Sequence, residues 1–491
     1  MKLHNKIYIW SIVLEGFLFF IFIDRLAAGF SLSVARALQV IWIAWRFAAP
    51  GQFIRGSWNV GRRRILLAYI LLGWTVFSLL GGYLSGGYVG STTTTDTSTW
   101  LAEILSNLAV RPLIEILLFG YYFWYYVLVG GKILSQVENY SYLVRSYFLV
   151  CALSMLIGFA DLIAYQLLGF GFVVRHLAEY FYENPITPGD RFHGFGGEPR
   201  DAFLQLLLML AILAAFRAGV GLKQSGIRHW VFVITFIALM MTQSVSGLVG
   251  LPIFAVLFCV FYVPRNFGAS TLLLMIMVIG VVAAVAAFSA DYFFRVAYYT
   301  AVYADIFDRL KEGSSGLSVD ELTQMTNIYP LFLFEQFCSG DHLYRCVFGS
   351  GMSSSAYANT AFMAEGMAFP HAEVTRILYE LGIGGFFIYC AFFVSMFTNP
   401  DRSRSRIGIS GQRTNFLWGL VLLAATLAHK SVNLWFYCIF VITTLNFLPA
   451  EIERLRSDLL RNRWARMVMK IGQNVVQRPG SGKGHQTEPL G

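Results

Sequence analysis

The chain has 491 residues, of which 57% are hydrophobic and only 13% are charged, with a net charge of +9 and a mean hydropathy of +0.60. So little polar surface cannot cover a water-soluble fold of this length, and the composition also excludes disordered and collagen-like chains. Six cysteines in 491 residues exclude a small disulfide-rich scaffold. The composition predicts an all-α polytopic membrane protein.

Apolar runs of the length that a helix needs to cross a bilayer, about 20 residues, recur about twelve times along the chain. The predicted spans are residues 7–23, 28–49, 65–86, 108–131, 147–171, 202–216, 229–246, 248–263, 269–289, 374–397, 414–430 and 433–449. Two stretches are ambiguous. The stretch His229–Val263 fits two spans or one span plus a re-entrant segment, because Ser244, Ser246, Gly247, Gly250 and Pro252 interrupt it. The stretch Phe416–Pro449 is interrupted by His429 and Lys430.

These spans divide the chain into six parts. They are five N-terminal spans (1–171), a loop (172–201), four spans (202–289), a larger loop (290–373), three spans (374–449) and a C-terminal tail (450–491). The two loops are too long to be turns, and loops of that length usually carry function. Aromatic and amphipathic stretches in the larger loop predict short helices over the membrane surface.

Most of the 37 Lys and Arg residues fall in the connections and termini on one side of this arrangement. Short cation-rich loops stay in the cytoplasm, so both termini are predicted to be cytoplasmic and both long loops to lie outside. This topology accounts for the positive charge without nucleic acid as a partner. In the tail, apolar residues at helical spacing among arginines predict a helix lying on anionic lipid, with a solvated helix as the alternative.

Two cysteines, Cys338 and Cys346, lie close together in the larger outer loop. Because that side is oxidising, they are predicted to form a disulfide. The other four lie in predicted helices, where they act as small apolar side chains; they are Cys151, Cys259, Cys390 and Cys438.

The first candidate site is the glycine-rich and charged run Gly189–Asp201 next to a predicted span. Its glycines allow the backbone to approach a ligand, and the guanidinium groups of Arg191 and Arg200 can grip phosphate oxygens in pairs. The run predicts a site for an anionic ligand. The alternative is an ordinary polar turn with arginines at the lipid headgroups.

The second candidate site combines the run Gly349–Ser355 with His371, Glu373 and Arg376 and the glycine series Leu381–Gly385. His371 stands at the mouth of a predicted span with ionisable neighbours, and such groups at a membrane mark functional sites by default. A histidine that only anchors the helix at the interface is the alternative.

Together three features resemble the O-antigen polymerase and O-antigen ligase superfamily of bacterial envelope glycan enzymes, which includes the Wzy-type polymerases. They are the Arg191–Arg200 loop with its Glu-Pro step, the Ser244–Gly247 step inside the membrane and the series Gly349–Gly385. The resemblance covers residues 60–450 and lies in the order and topology of short motifs. Two positions depart from the family pattern. Ala372 stands where family members often have a small polar residue, and Val245 stands where they often have an arginine.

The resemblance implies a GT-C-type glycosyltransferase at the periplasmic face of the bacterial inner membrane, acting on a glycan linked to undecaprenyl diphosphate. The residues implied to bind the donor diphosphate are Arg191, Arg200, Arg376, Ser244 and Ser246. The candidate base is His371, which titrates near neutral pH, with Glu373 or Glu198 orienting or replacing it. The chain contains no Asp-x-Asp pair and no Cys/His cluster with metal-ligand spacing, so neither metal nor cofactor is predicted. The simplest mechanism is direct attack by the acceptor with inversion.

The partners that the resemblance implies are the lipid-linked glycan donor and acceptor, membrane lipids, a chain-length regulator and a flippase. The Glu198-Pro199 step and Ala372 after His371 favour a polymerase. Two alternatives stay open: a ligase that transfers the polymer to lipid A core, and a non-enzymatic flippase or transporter of lipid-linked glycans.

Overall fold

The computed structural model of the protein describes residues 2–15, 17, 21–27, 30–48, 62–85, 110–134, 136–169, 192–196, 202–210, 226–242, 301–302, 304–311, 319–340, 342–363, 370 and 372–397. Within these ranges the regular structure is helical except for one two-stranded antiparallel hairpin. The predicted spans 248–263, 269–289, 414–430 and 433–449 and the tail 450–491 lie outside the described residues.

The described elements differ widely in length. The N-terminal elements are α1 (Leu3–Glu15), β1 (Ile21–Ala27), β2 (Phe30–Ser33), α2 (Val34–Ala48) and α3 (Arg62–Leu84). The continuous helix α4 (Val110–Leu134) contains a π-helical stretch, Phe123–Val129, and is followed by α5 (Val137–Leu168). The remaining elements are a 3-10 turn (Gly194–Gly196), α6 (Gly226–Met241), α7 (Val319–Ser339), α8 (Leu343–Phe348), α9 (Ser354–Met363) and α10 (Glu373–Phe397).

Four of these helices are long and apolar enough to cross a membrane. They are Arg63–Leu84, Val110–Leu134, Tyr142–Leu167 and Glu373–Ser395, and they coincide with the predicted spans 65–86, 108–131, 147–171 and 374–397. Large apolar side chains stand exposed on them, including Leu84, Leu117, Leu156, Leu167 and Phe387. Apolar surface of this extent suits contact with lipid chains. The described residues therefore support the predicted helical membrane protein.

The predicted spans 7–23 and 28–49 take a different form. α1 has 13 residues and α2 has 15, each short of the roughly 20 that cross a bilayer. Between them the chain forms the hairpin, in which Ile21 pairs with Ser33 and Ala27 pairs with Phe30. The charged pair Asp24 and Arg25 interrupts the apolar run, and the β-branched and aromatic residues around it favour extended backbone. Continuous helices are therefore not observed here, and the hairpin departs from the all-α prediction.

The helix α4 joins the short N-terminal helices through aromatic and hydroxyl side chains. The Tyr8 hydroxyl donates to the Tyr125 carbonyl oxygen at 2.7 Å, and the hydroxyls of Ser11 and Tyr125 lie 2.8 Å apart. Trp42 of α2 packs edge-on against the Tyr125 ring, with centroids 5.5 Å apart. The Tyr8 hydroxyl approaches Gly130 so closely that a Cβ there would lie 2.9 Å from it. α1 and α2 thus pack as one unit with α4.

Two further predicted spans are described only in part. Residues 202–210 are helical and buried along their whole length, which is typical of an interior helix, where a span of 202–216 was predicted. α6 has 16 residues and ends at Met241, before the predicted end of the span 229–246. In its described parts the long loop 290–373 folds as helices that include α7, α8 and α9.

Candidate functional site

The second candidate site is built around a break in α10 at Gly382. This residue has φ 70° and ψ −176°, which are not helical angles. A Cβ at this position would overlap the carbonyl oxygen of Val347 and would lie 2.6 Å from the backbone nitrogen of Gly349. Only glycine combines this backbone conformation with so close an approach. The break leaves carbonyl groups on the preceding turn without their helical donors, and buried carbonyls need other ones.

Those donors come from α3 and from the segment Gly349–Ser355, which we call the serine loop. The backbone N–H groups of Ser350 and Gly351 donate to the carbonyls of Tyr379 and Glu380, at 2.9 Å and 3.0 Å. From α3, Ser78 Oγ donates to the Glu380 carbonyl at 2.5 Å and Trp74 Nε1 donates to the Leu381 carbonyl at 2.9 Å. The kink therefore locks the serine loop and α3 onto α10.

The serine loop itself is strained and buried. Ser353 has φ 64°, and among the described residues it is the only non-glycine with a positive φ. Its side chain is buried, and its hydroxyl has no hydrogen-bond partner among the described residues. The hydroxyl groups of the next two serines are hydrogen-bonded. Ser354 donates to the Gly351 carbonyl and Ser355 donates to the Glu380 carboxylate, both at 2.5 Å. Strained backbone of this kind is concentrated at functional sites.

Beneath the serine loop lies a group of five ionisable side chains, which we call the charge network: Arg111, Glu115, Glu373, Arg376 and Glu380. Arg376 Nη2 lies 2.7 Å from Glu115 Oε2, its Nε lies 3.2 Å from Glu380 Oε2, and its Nη1 lies 3.6 Å from Glu373 Oε1. Arg111 Nη2 lies 3.1 Å from Glu115 Oε1. All five side chains are between 1% and 9% exposed. Burial at this level makes each charge dependent on its partners.

The charge network contains one more carboxyl than guanidinium groups. Glu373 has the longest ion-pair contact, 3.6 Å, and lies two residues after His371 in the chain. It is therefore the carboxyl most able to turn toward a neighbouring group.

Tyr357 of α9 lies beside the charge network. Burial raises the pKa of its hydroxyl, and the nearby Arg111 acts in the opposite direction. Its hydroxyl therefore stays protonated at neutral pH.

Of the residues predicted for donor or base roles, the structure describes Glu373 and Arg376. The guanidinium of Arg376 contacts three carboxylates, and the residue is 2% exposed. This geometry suits a residue that fixes the positions of the surrounding carboxylates. His371, Glu198, Arg191, Arg200, Ser244 and Ser246 lie outside the described residues. Sequence reasoning missed Arg111 and Glu115. An i, i+4 pair of opposite charges at the start of an apolar span was the signal that could have found them.

Part of the first candidate site, residues 192–196, lies deeper than the sequence suggested. The Phe195 N–H donates to Ser154 Oγ of α5 at 2.8 Å, and the Phe192 N–H donates to the Met241 carbonyl at the end of α6 at 2.9 Å. The sequence placed the whole run just outside a span, whereas these residues pack against the middle of α5. Met241 precedes Ser244 by three residues in the sequence, and Ser244–Gly247 lies outside the described residues.

The predicted cysteine pair is bonded in the structure, where Cys338 at the end of α7 is joined to Cys346 of α8. α8 leads directly into the serine loop. Arg345 of α8 donates to the Ser85 carbonyl just beyond α3, and its guanidinium lies 5.1 Å from the centre of the Phe337 ring. The disulfide thus fastens the entrance of the serine loop. Cys151 and Cys390 are free thiols, and Cys259 and Cys438 lie outside the described residues.

Replacing both bridged cysteines by serine is expected to lower the free energy of unfolding by about 2 to 3 kcal/mol, since the bridge closes a short loop. The measurement is thermal unfolding of the purified protein in detergent, with and without a reducing agent. Wild type with reductant should match the double variant, and the double variant should not respond to reductant. Equal melting temperatures for oxidised and reduced wild type would contradict this expectation.

A scan against models of protein families and a search of curated proteins both find no match for this chain. Within the described ranges, no group of three or more His, Cys, Asp or Glu side chains is arranged to hold a metal ion.

Proposed function

We propose that this protein is a glycosyltransferase that polymerises oligosaccharide repeat units linked to undecaprenyl diphosphate, at the periplasmic face of the bacterial inner membrane. The observation that carries the proposal is the charge network beneath the serine loop, whose member Glu373 lies two residues after His371 in the chain. Buried charge in a membrane-type helix bundle is costly and usually serves substrate handling or chemistry. The resemblance of the motifs to O-antigen polymerases supplies the substrate class.

The proposed reaction is direct attack by the acceptor with inversion at the anomeric carbon. The bond from this carbon to the diphosphate oxygen breaks, a bond to the acceptor hydroxyl oxygen forms, and the hydroxyl proton passes to His371. Arg191 and Arg200 stabilise the charge that develops on the leaving diphosphate, with Ser244 and Ser246 as hydrogen-bond donors. The reaction uses no metal or cofactor.

Within this proposal the described residues act mainly by positioning. Glu373 orients His371, with Glu198 as the alternative orienting group or base. Arg376 holds Glu373, Glu115 and Glu380 in place and does not contact the diphosphate, because its donors are already directed at three carboxylates. A base whose neighbours are fixed in advance loses little free energy to reorganisation during the reaction.

The proposed topology follows from the distribution of Lys and Arg. Both termini are cytoplasmic, the protein crosses the membrane several times, and the start of α10 faces the periplasm. The substrates are then a lipid-linked donor and a lipid-linked acceptor, reached through the surrounding lipid. A chain-length regulator and a flippase are the partners that the resemblance implies.

The test is the glycan profile of source cells with the gene deleted and then complemented. Deletion should reduce the polymer ladder to a single repeat unit, and wild type and Lys311→Ala should restore it. His371→Ala should not, because loss of a general base lowers turnover by about 100-fold or more. Lys311 is a suitable control, since it is half exposed in an ion pair with Glu335 away from the site.

Other profiles would overturn the proposal. Long polymer that stays on undecaprenyl diphosphate in the deletion strain would identify a ligase. Repeat units trapped in the cytoplasmic leaflet would identify a transporter. A full ladder with His371→Ala would remove this residue from the mechanism.

A further inference from the structure

The segment Phe192–Gly196 brings a histidine into the interior of the helix bundle. It packs on α5 at Ser154 and Gly158, close to the midpoint of the candidate span Tyr142–Leu167. At a rise of about 1.5 Å per residue, Ser154 lies roughly 18 Å from the nearer end of this span. Non-helical backbone is tolerated at such a depth only where protein covers it. Phe192 and Phe195 are buried, and both of their N–H groups are hydrogen-bonded.

The fit between this segment and α5 depends on small residues. A Cβ on Gly158 would lie 2.6 Å from the Phe192 ring and 3.1 Å from the Gly194 Cα atom. Gly194 has φ 53°, and a Cβ there would lie 2.5 Å from Ser154 Oγ. The Phe192 ring also packs on Phe159, with centroids 5.2 Å apart. His193 is therefore held between two residues that both touch Gly158.

One carboxyl on α5 is placed to meet this histidine. Ser154, Gly158 and Asp161 are spaced by four and three residues, so they share one face of the helix. A helical side chain leans toward the N-terminus and covers the turn before it. The Asp161 side chain thus lies over the turn at Gly158, where the segment is seated. Asp161 is 4% exposed and His193 is 5% exposed.

We propose that His193 and Asp161 form a buried pair that positions the segment Phe192–Gly196, which follows Arg191 in the chain, against α5. The imidazole donates a hydrogen bond to the carboxylate, and this bond fixes the backbone that immediately follows Arg191. A hydrogen bond between the two side chains also lowers the cost of burying either polar group. The role of the loop in holding the donor diphosphate rests on the proposed function, but the contact between His193 and Asp161 does not.

The contact is tested in membranes by paired cysteine substitutions. His193→Cys with Asp161→Cys should be linked by a short methanethiosulfonate cross-linker, and mass spectrometry identifies the joined peptides. The control is His193→Cys with Leu156→Cys, because Leu156 is 68% exposed on another face of the same helix. A cross-link between positions 193 and 161, and none between positions 193 and 156, supports the contact of His193 with Asp161. Absence of linkage in the first pair, or equal linkage in both, overturns it whatever the protein catalyses.

The positioning role is tested with purified protein and lipid-linked repeat units. His193→Ala should raise the KM for the donor about tenfold with kcat little changed, and His193→Asn, which keeps an N–H donor, should restore most of the loss. Asp161→Ala should match His193→Ala. An unchanged KM in His193→Ala, or a failure of asparagine to rescue a folded protein, would overturn the role. If no variant and no wild-type protein polymerises, the proposed function fails while the cross-link still decides the contact.

Discussion

Replacing Gly382 by alanine is expected to lower the free energy of unfolding by about 3 kcal/mol or more. An L-residue at φ 70° is strained, and the added methyl group would overlap the Val347 carbonyl oxygen. The neighbouring atoms are backbone, so they cannot move aside as a flexible side chain could. The substitution should also disturb the serine loop, because its donors to Tyr379 and Glu380 depend on the kink. The measurement is thermal unfolding in detergent, with the polymer ladder as a second readout.

The matched control for this variant is Gly81→Ala in α3. Among the described residues, no atom lies within 4 Å of a Cβ at Gly81, so the methyl group meets none of them. Alanine also favours a helix over glycine by up to about 1 kcal/mol. Gly81→Ala should therefore melt at or slightly above the wild-type temperature. If both variants lose stability equally, the kink at Gly382 is not what holds the serine loop.

The second large effect is expected at Arg376. Arg376→Met keeps much of the side-chain volume but leaves Glu115, Glu373 and Glu380 without their shared guanidinium. Removing one partner from a buried ion pair costs about 3 to 5 kcal/mol, because the remaining charge stays buried. The variant should unfold at a much lower temperature and should not support the polymer ladder. Arg376→Lys should recover only part of this loss, since an ammonium cannot reach several carboxylates in fixed directions.

Two comparisons separate this effect from general damage. Lys311→Met breaks an ion pair whose side chains are both 51% exposed, and it should cost less than about 1 kcal/mol. Adding Glu115→Gln to Arg376→Met removes one of the stranded charges, so the double variant should be more stable than Arg376→Met alone. A double variant that is less stable than the single variant would show that the charges are not the cause.

Much of the helical framework could be predicted from local sequence. An uninterrupted apolar run near 20 residues must form a helix in lipid, so the four long helices follow from hydropathy. The short separation of Cys338 and Cys346 and their predicted place on an oxidising side were likewise enough to expect a bond between them. The same reasoning did not find the hairpin Ile21–Ser33, because hydropathy measures burial and does not distinguish a strand from a helix in a short apolar run.

The candidate site was visible from the sequence only in part. The sequence predicted that Gly349–Ser355, Glu373, Arg376 and Leu381–Gly385 belong to a functional site. It gave no sign that the glycine series breaks a helix so that the serine loop can donate to it. It placed Arg376 among the ligand-binding groups and did not show that three carboxylates surround its guanidinium.

The sequence by itself determined that this chain is helical, apolar and suited to a membrane, because those properties depend on composition and on runs of neighbouring residues. Only the tertiary structure decided which charges meet. Glu115 and Arg376 lie 261 positions apart, and their 2.7 Å contact exists because α4 and α10 pack side by side. The segment Phe192–Gly196 likewise packs closely on α5 because Gly158 has no side chain that would meet the Phe192 ring. Such contacts depend on the packing of distant elements, which no local pattern in the sequence records.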